Sequence, residues 1–245
     1  MRTLLSDRFA PITSTIGFLE TPLEEAADAL VAWRRKLYGR AEAVELHAPL
    51  SEILPRLEPL TAGARPRELL VATISSWTAY FDCGLNGGDP RSPVGHLCRV
   101  LGCRGLIVAS IPNTYGMADE TPGRYGAVQF ELLGPDDSNA LGYVRSLGIV
   151  NDGGRWTFDA IGTVQDFEQP EAYGRRRKRD RFTSDMLAEY SAALGLRPLD
   201  EKFYAARAVL VASEQPVPAG GRQATLAEAQ ARLGVVPGVA DDRPG

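Results

Sequence analysis

A long stretch of this chain, from residue 105 to residue 167, carries strand-like segments that follow one another with no helical segment between them. These segments are residues 106–111, 127–133, 143–150, 156–161 and 164–167. Asn151-Asp152-Gly153-Gly154 separates two of them and is typical of the tight turn of a β-hairpin. A doubly wound parallel sheet needs a crossover helix between nearly every pair of strands, so this stretch excludes that fold.

Helical segments lie on either side of this stretch. Thr21-Pro22-Leu23-Glu24 has the pattern of a capping box and predicts a helix that ends at Gly39. A second helix is predicted over residues 92–101 and a third over residues 184–194, each followed by a glycine. The order of elements therefore predicts an α+β fold, with a mixed, largely antiparallel sheet and three main helices packed on one of its faces.

The 245 residues are enough chain for one domain with a sizeable core. Residues 1–212 contain the elements described so far and are predicted to form a single α+β domain. A linker rich in proline and glycine follows at residues 215–221, and a second capping box over residues 225–228 predicts a short helix. Residues 213–245 are therefore interpreted as a linker, a short helix and a flexible tail.

Composition places the chain among ordinary globular proteins, with 44% hydrophobic and 24% charged residues. The formal net charge of -4 provides no overall attraction to nucleic acid or to an anionic membrane. The three cysteines are too few for a disulfide framework, and the sequence shows neither a signal-peptide pattern nor an apolar run long enough to span a membrane. These features predict a cytoplasmic protein, and the excess of arginine over lysine favours a GC-rich bacterial source.

A glycine-rich loop between a strand and a helix, residues 82–92, is one candidate site for a small ligand. Glycines let a ligand approach the backbone closely, and the start of a helix attracts anions. The loop has neither a P-loop motif nor a dinucleotide-binding fingerprint, so a tight structural connection is the alternative. The ligand-binding candidates are Asp82, Asn86, Gly87, Gly88 and Asp89.

The cysteines and histidines give no reason to expect a metal or another cofactor. Cys98 lies on the apolar face of the second predicted helix, which predicts a buried thiol, and His96 points to another side. Carboxylates on different strands, such as Asp82 with Asp159 or Glu131, could act as an acid–base pair, but no pattern brings them together. The catalytic residues are therefore unknown, and we interpret the chain as non-enzymatic, with an enzyme that uses the glycine-rich loop as the alternative.

The strongest local charge is the basic run Arg175-Arg176-Arg177-Lys178-Arg179-Asp180-Arg181. Aromatic residues for base stacking are not interleaved with it, so nucleic acid is the disfavoured alternative. We expect instead an exposed segment that holds an acidic partner or pairs with the nearby acids Glu168, Glu171, Asp180 and Asp185. Aromatic residues on the predicted strands add to a composition that is typical of protein interfaces. The partner-binding candidates are Trp77, Tyr80, Trp156, Arg175, Arg176, Arg177 and Arg179.

Four segments resemble a group of uncharacterised bacterial α+β proteins, and the likeness covers most of residues 10–205. They are residues 77–82, 101–105, 125–131 and 179–183. In size, acidic charge and α+β composition the chain is also similar to immunity proteins, which neutralise bacterial toxins. We therefore expect an immunity- or adaptor-like binding protein whose partner is another protein, with a small-molecule ligand as the alternative and no membrane contact.

Overall fold

The computed structural model describes residues 1–115, 122–135, 142–216 and 221–238, and these contain eleven strands and five α-helices. The strands are β1 (Thr15–Leu19), β2 (Ala41–Leu46), β3 (Leu60–Thr61), β4 (Arg67–Thr73), β5 (Thr78–Asp82), β6 (Gly105–Ile111), β7 (Ala127–Leu133), β8 (Tyr143–Asp152), β9 (Arg155–Gly162), β10 (Tyr204–Ser213) and β11 (Gln223–Ala224). The helices are α1 (Leu23–Tyr38), α2 (Leu50–Ile53), α3 (Arg91–Leu101), α4 (Ser184–Ala193) and α5 (Leu226–Leu233).

Nine of the strands form one sheet in the order β2-β10-β4-β5-β1-β6-β7-β8-β9, in which β10, late in the chain, lies between β2 and β4. Every neighbouring pair is antiparallel. The α+β prediction is confirmed, although the sheet is antiparallel throughout rather than mixed. The predicted hairpin joins β8 to β9 through Gly153 and Gly154, whose φ angles of +57° and +90° suit a type I′ turn. The strand predicted at residues 164–167 is not formed.

Helices cover both faces of the sheet, which corrects the expectation that they pack on one. Helices α1 and α3 bury Leu30 and Leu97 in one core, whereas α2 and α4 bury Ile53 and Leu187 in the core on the opposite face. The reason lies in the central strands, since three consecutive residues of β4, Leu69–Val71, are all fully buried. Successive strand residues point to opposite faces, so such a run requires cover on both.

Cover on the α1–α3 side ends at β7. Leu133 of β7 belongs to that core, but none of the described residues of β8 or β9 is buried in it. Beyond this cover, a set of residues of β7, β8 and β9 on this side is partly or fully exposed and forms a surface that we call the open face. It consists of Gln129, Ser146, Gly148, Val150, Thr157, Asp159 and Ile161.

The described part of the C-terminal segment is packed against the domain. Strand β11 pairs with β3, and Ala229 of α5 is fully buried. The Arg232 guanidinium donates to the backbone carbonyl of Leu85 and to the side chain of Asn86. Residues 221–238 therefore belong to the same packed unit as the domain, while residues 217–220 of the predicted linker and the tail from residue 239 lie outside the described residues.

Candidate functional site

The glycine-rich loop is folded around the carboxylate of Asp82, which ends β5 and is fully buried. Its Oδ1 accepts the Gly84 N–H and its Oδ2 accepts the Asp89 N–H, each at 2.8 Å, and Arg65 Nε lies 3.0 Å from Oδ1. Burial raises the pKa of Asp82 to about 6, although Arg65 and the two backbone N–H groups lower it. A Cβ at Gly84 would overlap the carbonyl oxygen of Gly87. Because both carboxylate oxygens are occupied, Asp82 anchors the loop rather than facing a ligand.

The other loop candidates do not converge on a single site. Asn86 is held by Arg232, Gly87 lies close to Pro11, and Gly88 lies close to Thr15 of β1. Asp89 is bonded to Asp82 through its N–H and also lines a cleft of about 450 Å³ beside α3. These contacts lie within the protein, so the five residues do not form one ligand site.

The cleft beside α3 combines aromatic and charged side chains. Trp33 of α1 and His96 of α3 stack with their ring centroids 4.1 Å apart, and the Arg91 guanidinium donates to Glu131 at 2.7 Å. Burial lowers the pKa of His96, and the nearby positive charges of Arg99 and Arg34 lower it further. This recess could hold a small anionic or aromatic molecule, since it offers both ring faces and guanidinium groups.

The cysteine prediction is confirmed, because Cys98 is fully buried on α3. The described His, Cys, Asp and Glu residues include no group of three that could hold a metal ion. The carboxylate pairs considered from the sequence are not neighbours in the sheet, since β5, which carries Asp82, adjoins neither β7 nor β9.

Trp77 and Tyr80 are core residues, which corrects their assignment as partner-binding candidates. Trp77 is 2% exposed and its indole N–H donates to the carbonyl of Leu194 at 3.1 Å. Tyr80 is fully buried and its hydroxyl donates to Glu68 at 2.7 Å. Both belong to the central part of the sheet, where helices on both faces leave no surface for a partner.

The basic run, which we call the basic segment (residues 175–181), lies beside strand β9. The Arg179 guanidinium is 5.5 Å from the ring centroid of Trp156, and that of Arg181 is 5.8 Å from Phe158. Cation–π attraction at these distances holds the segment against the strand. Arg175 donates to the carbonyl of Asp180 within the segment.

Two of the four acids expected to neutralise the basic segment, Glu168 and Asp185, are paired elsewhere, which corrects that expectation for them. Glu168 is bonded to Arg145 at 2.9 and 2.7 Å, and Asp185 lies 3.9 Å from Arg2. Arg176 and Arg177 are exposed, and no described residue forms an ion pair with either. The segment therefore presents positive charge to solvent beside β9.

A cavity of about 230 Å³ lies between Trp156, Arg179 and Phe182. Trp156 lines this cavity, and its indole N–H is buried without a hydrogen-bond partner among the described residues. A buried donor of this kind costs free energy until it meets an acceptor. An oxygen-bearing group that reached this N–H would therefore be favoured.

Strand β9 is the end of the sheet and keeps a free hydrogen-bonding edge. The Thr163 N–H donates to the Val144 carbonyl at 2.9 Å, so the backbone groups of residue 163 face β8. Backbone groups alternate in direction along an antiparallel strand, so those of Trp156, Phe158 and Ala160 point away from β8. Within the described ranges, no residue is hydrogen-bonded to these outward groups.

The same edge exposes apolar side chains that sequence reasoning missed. Ile161 is 67% exposed and Val164 is 53% exposed. Their apolar character was visible in the sequence, but it indicated a buried strand because the sequence did not show that β9 ends the sheet. A run of residues from Asp159 to Val164, all exposed, thus continues the free edge.

Beside this edge, a buried Arg–Glu–Tyr cluster fixes the loop that follows β9. Glu168 accepts hydrogen bonds from Nε and Nη2 of Arg145 and also from the Tyr173 hydroxyl, the last at 2.8 Å. The Arg145 guanidinium donates as well to the Gly162 carbonyl at 3.1 Å. The cluster ties β8, the end of β9 and the following loop together, so the edge strand is held in place without a tenth strand.

Comparisons with protein-family models, with characterised proteins and with solved structures find no match to this chain. The resemblances to bacterial α+β proteins and to immunity proteins therefore stay predictions. Across the described ranges, the helices are all too short or too polar to traverse a bilayer.

Proposed function

We propose that this chain is a non-enzymatic, immunity- or adaptor-like binding protein that acts in the cytoplasm and engages another protein along strand β9 and the basic segment. The observation that carries the proposal is the free edge of β9. An extended partner segment can add to such an edge through main-chain hydrogen bonds, while its side chains contact the flanking surface.

The side chains around the edge suit a protein partner. The exposed faces of Ile161 and Val164 offer apolar area, and the rings of Trp156 and Phe158 are only partly covered. Aromatic residues and arginines are enriched in the energetically important parts of protein interfaces. The edge therefore combines main-chain pairing with the side-chain types that bind most strongly.

The charges favour an acidic partner segment. Arg176 and Arg177 of the basic segment are exposed, and Arg179 of the same segment lies 5.5 Å from the Trp156 ring of β9. A carboxylate pairs with exposed guanidinium groups through charge-assisted hydrogen bonds. We therefore infer that the partner carries Asp or Glu residues on the segment that pairs with β9.

The test is site-specific photo-crosslinking with the full-length protein in lysate of its native host. A photoreactive residue at position 161 is expected to yield one dominant protein adduct. The same residue at position 44, on the opposite edge strand where Val44 is 52% exposed, is expected to yield none. Adducts of equal yield from both positions would contradict the proposal, and so would an RNA or DNA adduct from position 161.

The substitution Ala160→Pro links the adduct to strand pairing. Its N–H points away from β8, so proline removes a donor from the free edge and leaves the β8–β9 ladder intact. We expect the position-161 adduct to disappear while thermal unfolding stays close to that of the wild type. An adduct that survives in folded Ala160→Pro protein would show that the partner does not pair with the edge.

A second candidate function is the binding of a small anionic molecule in the cleft beside α3, favoured by Arg91 and by the stacked Trp33 and His96. A thermal-shift screen with nucleotides and sugar phosphates tests it, because stabilisation rises with ligand concentration in a defined way. Loss of the shift in Arg91→Ala would place the ligand in this cleft, and a shift that persists in that variant would exclude the cleft.

A further inference from the structure

Two cysteines are brought together by the backbone at the end of helix α3. The helix ends at Gly102, which has a φ of +64°, and the Cys103 N–H donates to the Cys98 carbonyl at 3.1 Å. This is the geometry of a Schellman motif, in which the two residues that share this bond commonly pack their side chains together. Here both positions are cysteines, and Cys103 packs against the core cluster that contains Cys98.

The two thiols have different surroundings. Cys98 is fully buried, whereas Cys103 is partly exposed. The neighbouring Cys98 thiol lowers the pKa of Cys103, and the Cys103 thiol together with burial raises the pKa of Cys98. A thiolate with solvent access is the form of cysteine that reacts with oxidants, so Cys103 is the thiol that reacts first.

We propose that Cys98 and Cys103 form a dithiol site that a hydroperoxide converts into an intramolecular disulfide. The Cys103 thiolate attacks the hydroperoxide, the O–O bond breaks, and Cys103 becomes a sulfenic acid as the alcohol or water leaves. The Cys98 sulfur then attacks the Cys103 sulfur, the S–O bond breaks, and the hydroxyl leaves as water with the proton of Cys98. One hydroperoxide is reduced and two thiols are oxidised.

The local backbone favours this step. The backbone hydrogen bond already holds the two residues together, and bonded sulfur atoms need close Cα atoms and converging Cβ atoms. A Cβ at position 105 would lie 2.5 Å from the Cys98 sulfur, so only glycine at this position avoids a steric clash with that sulfur. The proposal does not depend on the partner-binding function.

The third cysteine serves as an internal control. Cys83 is buried, its nearest polar neighbour is the Thr61 hydroxyl at 3.4 Å, and burial raises its pKa. We expect it to resist both alkylation and oxidation in the folded protein. Its behaviour separates a specific reaction at α3 from general oxidation of an unfolded chain.

The experiment treats the full-length protein with one equivalent of hydrogen peroxide, alkylates the remaining thiols under denaturing conditions and maps them by mass spectrometry. The expected product has lost two hydrogens, carries a peptide pair linked through Cys98 and Cys103, keeps Cys83 alkylated, and returns to three alkylated thiols after reduction. A Cys103 sulfinic acid without the linked pair, or a disulfide between two chains, would overturn the proposal.

Two substitutions distinguish the roles of the thiols. In Cys98→Ser, peroxide is expected to leave Cys103 as a sulfenic acid that dimedone traps, because the resolving thiol is gone. In Cys103→Ser, Cys98 is expected to stay reduced, because it has no solvent access. Formation of the disulfide should be unchanged in Cys83→Ser, and equal oxidation of Cys98 with and without Cys103 would contradict the assigned order.

Discussion

The two ends of the large sheet are built differently. Strand β2 carries Glu42 and Glu45, which are bonded to Arg40 and Arg207 at 3.0 and 2.8 Å, so charged side chains line that edge. Strand β9 exposes Ile161, and none of its charged residues has an ion-pair partner among the described residues. Charged side chains on an edge strand discourage pairing with another chain. Because the charges of β2 are paired and Ile161 is the more exposed aliphatic residue, we place the proposed partner segment at the β9 end.

The two halves of the sheet also differ around otherwise similar ion pairs. In the half with helices on both faces, which we call the closed half, Arg34 of α1 donates twice to Glu68 of β4, each at 2.6 Å. In the half with the open face, which we call the open half, Arg145 of β8 binds Glu168 of the loop that follows β9. The first pair fastens a helix to a central strand, whereas the second fastens a loop beside the edge strand β9. The same chemistry therefore supports the core in one half and a surface in the other.

The largest effect is expected when each pair loses its carboxylate. Glu68→Gln leaves the Arg34 charge buried, and we expect the free energy of unfolding to fall by about 3–5 kcal/mol. Glu168→Gln should lower it by less, because the released loop lets water reach Arg145. Urea unfolding measures the global loss, and hydrogen exchange over residues 163–175 measures the local opening. Equal global losses with no local opening would show that the two halves unfold as one equivalent unit.

The second effect tests whether the closed half excludes water at the end of β5, where Asp82 meets the glycine-rich loop. The pKa of Asp82 is raised to about 6 by burial, while the unfolded chain releases this proton near pH 4. Between these values the folded protein holds more protons than the unfolded one, so stability falls as the pH rises from about 4 to about 6, by roughly 1–3 kcal/mol. Urea unfolding across this range, compared with Asp82→Asn, measures the difference. Parallel profiles would mean that water reaches the carboxyl.

A smaller effect compares the tyrosines that complete the two clusters. The Tyr80 hydroxyl is fully buried on Glu68, so Tyr80→Phe should cost roughly 1.5–3 kcal/mol of stability. The Tyr173 hydroxyl bonds Glu168 at a partly exposed position, where water can replace it, so Tyr173→Phe should cost about 1 kcal/mol or less. Denaturant midpoints measured at one pH give both values. A larger loss for Tyr173→Phe would reverse the assignment of the closed and open halves.

The smallest effect on stability comes from matched substitutions at the two edges. Ile161→Lys and Val44→Lys each place a charge on an exposed edge position, so each should change the free energy of unfolding by less than about 0.5 kcal/mol. Partner capture should nevertheless fall at least tenfold for Ile161→Lys and stay unchanged for Val44→Lys. Quantitative pull-down with the purified variants measures this, and an equal loss for both would remove the distinction between the edges.

Local signals in the sequence predicted individual elements well. The capping box at Thr225 and Glu228 is formed as expected, with each backbone N–H bonded to the other side chain. The similar pattern at Thr21 is not, because α1 begins one residue later and the Thr21 hydroxyl donates to Glu25. A capping box depends on a few neighbouring residues. It therefore locates a helix, but the first residue of that helix can differ by one from the predicted position.

The candidate site could not be predicted in the same way, because it depends on the order of the strands. Trp77, Tyr80 and Trp156 are all aromatic residues on predicted strands. Only Trp156 lies on the strand at the end of the sheet. Glu168 and Arg145 are 23 residues apart, and no local pattern announces their pairing. Strand order is fixed by contacts between distant residues, which a single sequence does not display.

The central position of β10 has a consequence for synthesis on the ribosome. Residues 41–46 and 67–73 emerge long before residues 204–213, which separate them in the finished sheet. Until translation passes residue 213, the facing sides of β2 and β4 have no hydrogen-bonding neighbour. A nascent chain stalled in this interval is therefore a substrate for chaperones, and complete folding follows only when the late strand is inserted between the two early ones.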